Sequence, residues 1–412
     1  MATSVLGSIT LGYRPLWNAA RSLAAVQLFI EGRADASIDA ERLLGALHDQ
    51  GKPSAPPLLL SVKSPALLRD LLDNAPAPTA FPNRAPYWIE VRSEWMGSHA
   101  MPQRVQRAYQ RGLRLVWRAE SDQPPSPELA ACFFTRLLRL PPQAALAGLQ
   151  AAARARSGTP GGASPVQPGM LYEGVASRLL MEHCLDQQHA SALLGWPDED
   201  ILHALQRQAT APDYRAMVQL VQAVDDDVSV EKIEALLGME PILTFRFLAY
   251  ANSAAVGLRN EVESLRHGLM LLGTTTLKRW LVEQLPQASR DPNLLPVKAA
   301  MVLRARLMEN LMDSGAEHQL AREIYLCGLF SQIDVLMGEP LGSALHRVPL
   351  SSRIYNATVR NSGPYAPLLH IATALETDNG AAIRALCHEH GMGLEEINRA
   401  LLRTLVGQPT NI

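Results

Sequence analysis

Charge of one sign is in short supply in this sequence: 38 Lys and Arg against 40 Asp and Glu leave a formal net charge of -2, with no concentrated basic run. A chain with neither a positive field nor a positive stripe attracts polyanions poorly, so nucleic acid is excluded as an expected partner. Cysteine is scarce too. Cys132, Cys184, Cys327 and Cys387 are widely scattered and none sits in a CxxC pair, which argues against a zinc motif or a disulfide framework and for free thiols in a reducing compartment. Long hydrophobic runs are also missing, because Arg breaks the longest of them well short of the about 18 residues that a membrane span needs. The opening stretch, MATSVLGSITLGY, has no basic start ahead of an apolar segment, so the expectation is a cytoplasmic protein without membrane contact.

What is present suits folded domains. Apolar residues make up 47% of the chain and charged residues 19%, enough to bury sizeable cores. The length of 412 residues passes the point at which single cores split, so two domains of roughly 200 residues each are expected. In the first half, residues 58–62, 87–91 and 113–117 are short β-prone runs, each preceded by a turn rich in Pro or Gly, while residues 66–72 and 102–111 read as helices. Such alternation predicts a parallel sheet, open or closed into a barrel. The stretch RSGTPGGASPVQPG, residues 156–169, lacks apolar periodicity and reads as a mobile loop within the first domain. The domain boundary is expected near residues 203–213, where the chain is polar and carries Pro212.

Beyond that boundary strand signals largely vanish and helix punctuation takes over. Ser229 can cap a helix closed by Gly238; Pro241 suits the first turn of the next, in which Leu243, Phe247 and Ala251 recur at four-residue spacing until Asn252 and Ser253 stop it. Ser264 can cap a helix closed by Gly273, and Thr274 another that presents Leu277, Leu281 and Leu285 on one face. Three clusters invite sharper readings. His388 and His390, two positions apart, diverge by about 200° on a helix and suit a solvated helix end better than a metal site. Met301, Met308 and Met312 form a stripe that reads as core packing, and Asp225, Asp226 and Asp227 read as dipole partners ahead of a helix.

The run from Met217 to Leu281 resembles the HDOD domain, a helical relative of the HD phosphohydrolases that lacks their metal ligands. Those hydrolases hold two metal ions with His and Asp pairs from separate helices. Here CGLFSQIDVLMG, residues 327–338, is similar to their Leu-Leu-His-Asp-Ile-Gly stretch, with Ser331 and Gln332 where the His-Asp pair would stand. The helix matching the earlier histidine offers Arg304 and Arg306 instead, and the sequence on to about residue 380 resembles the YuxH-like EAL-HDOD signalling proteins. Within AYANSAAVG, residues 249–257, lies the most HDOD-like pattern, which implies a role for Asn252, Ser253 and nearby Arg259 in core or contact surface.

The segment GYRPLWNAARSLAAVQLFIEG, residues 12–32, resembles the start of EAL domains, where a hairpin leads to the Glu-Ala-Leu signature; Gln27 stands in the signature glutamate's place. The same resemblance aligns Glu90 in YWIEVRSEW with a metal-ligand glutamate, and Glu173 in LYEGVASRLL with the first acid of a Glu-Gly-Val-Glu loop whose second acid is Ala176 here. The paired aspartates of the fourth strand are replaced by Arg118 and Ala119, Arg136 is a counterpart for the catalytic lysine, and Gly195, Trp196 and Pro197 match the last strand. The matching span, about 200 residues, is shorter than a complete EAL domain, and an incomplete barrel is expected.

The resemblance thus implies an α/β plus all-α chain: a degenerate EAL-like (β/α) barrel over residues 1–205 and a helical HDOD domain over 206–412. It implies a catalytically inactive cytoplasmic signal-transduction protein, without cofactor or bound metal, acting through contacts with other signalling proteins. The alternative is a non-hydrolysing cyclic di-GMP receptor with Glu90, Glu173 and Arg118 as ligand-binding residues. Binding is expected to be weak, because the two phosphates would meet Glu90 and Glu173 with no bridging cation between them.

Overall fold

A polar turn folds the start of the chain into a hairpin: the Asn18 N–H donates to the Ser22 carbonyl at 3.1 Å, and the Asn18 side-chain oxygen accepts from the Ser22 N–H at 3.1 Å. It joins β1 (Ile9–Trp17) to an antiparallel β2 (Leu23–Gly32). The structure, a computed structural model, describes residues 4–32, 38–49, 55–76, 86–98, 100–119, 123–157, 164–175, 177–195, 210–257, 261–312 and 318–406. From β2 onward the pairing is parallel, through β3 (Leu58–Val62), β4 (Tyr87–Arg92), β5 (Arg114–Ala119), β6 (Phe133–Arg139), β7 (Leu171–Glu173) and β8 (Ala192–Leu194). β8 then pairs antiparallel with β1 and closes an eight-stranded barrel. The expected shortfall of strands does not occur, because β7 and β8, at three residues each, suffice for closure. Helices Pro65–Asn74 and Ala100–Gln110 fall where periodicity placed them, the first capped by Ser64. Of the segment read as a loop, residues 158–163 lie outside the described residues, while Val166 is buried.

One apolar plug fills the lumen. Leu16, Ala25, Leu59, Val116, Leu137, Leu171, Ala192 and Leu194 form a single buried cluster with Trp88 packed against it, so every strand contributes. Because side chains alternate along a strand, the residue two positions further on faces the lumen one layer higher.

By its contacts the chain divides into Met1–Asp198 with Thr373–Ile412, and Glu199–Ala372. The expected division, with 206–412 as one domain, differs at its far end, for a physical reason. Helix Leu394–Val406 buries Ile397, Leu401 and Leu405, and from the same helix the fully buried Asn398 reaches β1. Its Nδ2 donates to the carbonyls of Leu6 and Ile9 at 2.7 and 2.9 Å, and its Oδ1 accepts from the Leu11 N–H at 3.2 Å. On the same strand Gly12 has no side chain where the Thr377 carbonyl oxygen sits; a Cβ there would lie 2.1 Å from that oxygen.

Among the described residues of the second unit the regular structure is helical, apart from an isolated bridge between Asp213 and Ser289. Ser229 caps Val230–Gly238, Glu240 caps Pro241–Ala251, and Ser264 caps a helical run from Leu265 that breaks at Gly273, where φ is 73° and ψ 162°. Helices Leu295–Asn310 and His318–Phe330 approach closely because Gly328 lacks a Cβ, which would stand 2.6 Å from the Ala305 Cα. Glu240 also forms a buried ion pair with Lys298. Met301 and Met308 are core, as their stripe implied, and all four cysteines are free and buried. Among the described residues no helix is long and apolar enough to cross a membrane.

The Asn398 amide generates a test. Asn398→Ala strands three buried backbone groups, and an unsatisfied buried group costs about 1–3 kcal/mol, so a loss of roughly 3 kcal/mol is expected. Denaturant unfolding followed by hydrogen exchange should assign that loss to the barrel unit, with the helical unit unchanged.

Candidate functional site

Above the apolar plug the lumen turns polar. Gln27, Ser61, Glu90, Arg118 and Glu173 each follow a plug-layer residue by two positions on β2, β3, β4, β5 and β7, and Arg14 precedes Leu16 by two on the reversed β1. This is the carboxyl end of the parallel strands, where barrels of this architecture carry their sites. Glu90 is 1% exposed and lies at the centre. It accepts from Gln27 Nε2 at 2.9 Å, from the Ser61 hydroxyl, and from Arg92 Nε at 3.1 Å. Arg118 lies between the two acids: Nη1 is 3.4 and 3.5 Å from the Glu90 oxygens, and Nη2 is 2.9 and 3.0 Å from those of Glu173.

The charges suit the side chains at these positions. A carboxylate at position 27 would face Glu90 across hydrogen-bonding distance and repel it; the Gln27 amide turns that contact into a donated bond. Burial works to lower the Arg118 pKa, but the charges of Glu90 and Glu173 outweigh it and hold the guanidinium above its ordinary value. Two acids are therefore matched by Arg92 and Arg118, and a divalent cation would have to displace a guanidinium that is always charged. Among the described residues no three His, Cys, Asp or Glu side chains gather as a metal site.

A turn from the returning segment lies at this mouth. Asp378 faces two cations, Lys63 Nζ at 3.4 Å and Arg14 Nη2 at 3.8 Å, and Lys63 also donates to the Asp378 backbone carbonyl at 2.9 Å. Both cations stand over the Phe29 ring, 5.3 Å away for Arg14 and 5.9 Å for Lys63. Burial would raise the Asp378 pKa, yet Lys63 and Arg14 hold it below its ordinary value. Next along, Arg384 donates to Glu31 at 2.6 Å and to the Thr10 hydroxyl at 3.1 Å.

In the helical unit an arginine also bridges to Ser331, one of the positions that the sequence resemblance singled out. Arg304, 6% exposed, donates to the Ser331 hydroxyl at 3.0 Å, and Ser331 donates to the Gly328 carbonyl at 2.8 Å. Gln332 precedes the short helix Ile333–Met337. A cavity of about 470 Å³ opens elsewhere, among Ser264, Arg266, Gln319, Arg322 and Glu323.

Several expected residues stay apart from these sites. Ala119 alternates to the face of β5 opposite Arg118, and Arg136 to the face of β6 opposite Leu137, where it bonds Gln167 instead of standing in for a catalytic lysine. Ala176, Trp196, Pro197 and Arg259 lie outside the described residues. Asn252 is used internally: Nδ2 donates to the carbonyls of Leu248 and Val262 at 2.7 and 3.0 Å, and Oδ1 accepts from the Val262 N–H at 2.7 Å. Ser253 beside it is half-buried. His388 and Glu389 are exposed at a helix end, as read, and Asp225 pairs with Lys278 across the surface. Sequence reasoning missed Ser61, Arg92, Arg14, Lys63 and Asp378; a lone Ser at alternating register in the apolar β3 was a usable signal for the first.

Two outcomes follow from these contacts. Arg118→Met takes the cation from Glu173 and leaves Glu90 to Arg92, and should cost about 2 kcal/mol in thermal unfolding, with Glu173→Gln added to it recovering part of the loss. Asn252→Ala should cost roughly 2 kcal/mol, because the Val262 backbone groups lose their partners, and the same unfolding measurement checks it.

Comparison with known proteins agrees with this layout. The HDOD domain family matches residues 209–339. Protein YuxH of Bacillus subtilis is 24% identical over 155 residues, 37% of this chain and 37% of that protein. The cyclic di-GMP phosphodiesterase CdgJ of Vibrio cholerae is 23% identical over 202 residues, 48% of this chain and 46% of that protein. The chain therefore spans less than half the length of either curated relative. Among solved structures, the Bacillus subtilis YkuI protein, with an EAL domain and in complex with cyclic di-GMP and calcium, overlaps 46% of this chain and 54% of that one, at 10% identity and a TM-score of 0.27. The HDOD match falls in the helical unit described above and the eight-stranded closed barrel stands in the other unit, an arrangement that fits an EAL-HDOD architecture of an EAL-like barrel and a helical HDOD domain.

Proposed function

We propose that this chain is a cytoplasmic signalling protein that does not hydrolyse cyclic di-GMP and acts through contacts with other signalling proteins. The observation that carries this reading is Arg118, whose guanidinium lies on both surviving glutamates of the barrel mouth. Metal-assisted hydrolysis needs an ion that lowers the pKa of a bound water and steadies the leaving oxygen. A guanidinium supplies charge and hydrogen bonds but has no open coordination position for water. Arg304 on Ser331 supports the same reading for the helical unit. Exposed Met270 and Leu271 on the run that Ser264 caps favour protein contact there, and four free thiols fit the reducing environment of a cytoplasm.

A second reading has an observation of its own. The expectation of weak ligand binding rested on two bare carboxylates facing the phosphates, and they are not bare. Arg118 and Arg92 neutralise them, and Arg14 and Lys63 add positive charge at the same mouth of the barrel. This favours a non-hydrolysing receptor for cyclic di-GMP as the alternative.

Purified chain incubated with cyclic di-GMP and Mg²⁺ or Mn²⁺ is expected to release no linear dinucleotide above a buffer control. Metal-dependent release that Glu90→Ala abolishes would overturn the proposal. Calorimetric titration without metal separates the two readings: heat of binding supports the receptor, and its absence supports contacts alone.

A further inference from the structure

We propose that the turn at residues 377–380 is an internal ligand of the barrel mouth: the Asp378 carboxylate fills an anion site formed by Arg14 and Lys63, and a phosphate-bearing small molecule binds there in competition with it. This deepens the receptor reading above, on which it rests for a phosphate ligand at the mouth, by adding a carboxylate of the chain itself that holds the site until the ligand arrives.

Three observations converge on it. First, the turn is seated within the mouth. Gly12 belongs to the lumen-facing series of β1, two positions beyond Arg14, and the Thr377 carbonyl occupies the space its side chain would take. Second, the two cations are arranged as a receptor. Arg14 lies on β1 and Lys63 directly follows β3; both stand over one aromatic ring and find in Asp378 a carboxylate supplied from more than 300 residues away in sequence. Among the described residues neither has another ion-pair partner, so releasing Asp378 leaves two positive charges together, the arrangement that a multivalent anion satisfies better than one carboxylate. Third, the turn is tethered on its far side by Arg384 to Glu31 and by Asn398 to β1, so it can leave the cations without the returning helices leaving the barrel.

Competition of this kind is reciprocal. Whatever the turn takes from the affinity of an anion, the anion takes from the hold on the turn. Ligand at the mouth would loosen residues 377–380 and the start of helix Gly380–Glu389, converting a small-molecule signal into a change at the returning segment.

The full chain can be titrated with inorganic pyrophosphate in EDTA by calorimetry. Asp378→Asn should raise affinity by about tenfold, within the usual range of coupling between sites, and Gly12→Ala, which crowds the Thr377 carbonyl, should raise it as well. Adding Lys63→Met to Asp378→Asn should abolish the gain. A well-folded Asp378→Asn chain, judged by circular dichroism, that shows no gain would overturn the proposal, as would a gain that survives Lys63→Met. Should Asp378→Asn fail to fold, hydrogen exchange of the wild-type chain decides: residues 377–386 should lose protection as pyrophosphate is added, and unchanged protection at high pyrophosphate overturns the idea. Hydrolysis of cyclic di-GMP would refute the function proposed above while leaving these outcomes in force.

Discussion

The guanidinium of Arg118, held between Glu90 and Glu173, is the constraint around which the barrel mouth is built. Carboxylates this far from water need a nearby cation, and leaving them without one is among the costlier defects a fold can carry. Once that cation comes from the chain itself, the neighbours are restricted in turn. Position 27 must be a donor toward Glu90, Ser61 must turn its hydroxyl the same way, and Arg92 takes up the remaining oxygen. Lysine would not serve equally, because its point charge cannot spread along two acids as a planar guanidinium does.

The helical domain shows the same preference independently. Arg304 is nearly buried and reaches Ser331 across two packed helices whose close approach depends on Gly328. In both units, then, an arginine is drawn inward and joined to polar residues that keep it there. The two sites differ in balance. The barrel layer matches acids with bases, whereas Arg304 relies on a neutral hydroxyl among the bonds that satisfy it.

Much of this was legible in the sequence where the signal is local. β3 could be read from a five-residue apolar run after a Pro turn, and the caps at Ser229 and Ser264 from a hydroxyl ahead of an apolar period. Glu90, Arg118 and Glu173 were singled out by the resemblance to EAL motifs, though not their contact, since alternation gives the face of a residue and not its neighbour across the lumen. β7 and β8 are too short to show alternation at all. Asp378 and Asn398 carried no signal. A helix such as Leu394–Val406 has the same apolar period whichever unit it packs on, so periodicity could not reveal that it belongs with the barrel.

That return of the chain has a consequence for the order in which the protein is made. The bond from the Leu11 N–H to Asn398 joins residues 387 positions apart. A ribosome adding roughly 5–20 residues per second needs many seconds to cover that distance. Throughout that interval the first strand waits with the Leu6, Ile9 and Leu11 backbone groups unanswered, while the helical unit, contiguous and rich in local contacts, has everything it needs. The half that starts first in sequence is finished last, and the barrel matures only after the domain inserted into it has emerged.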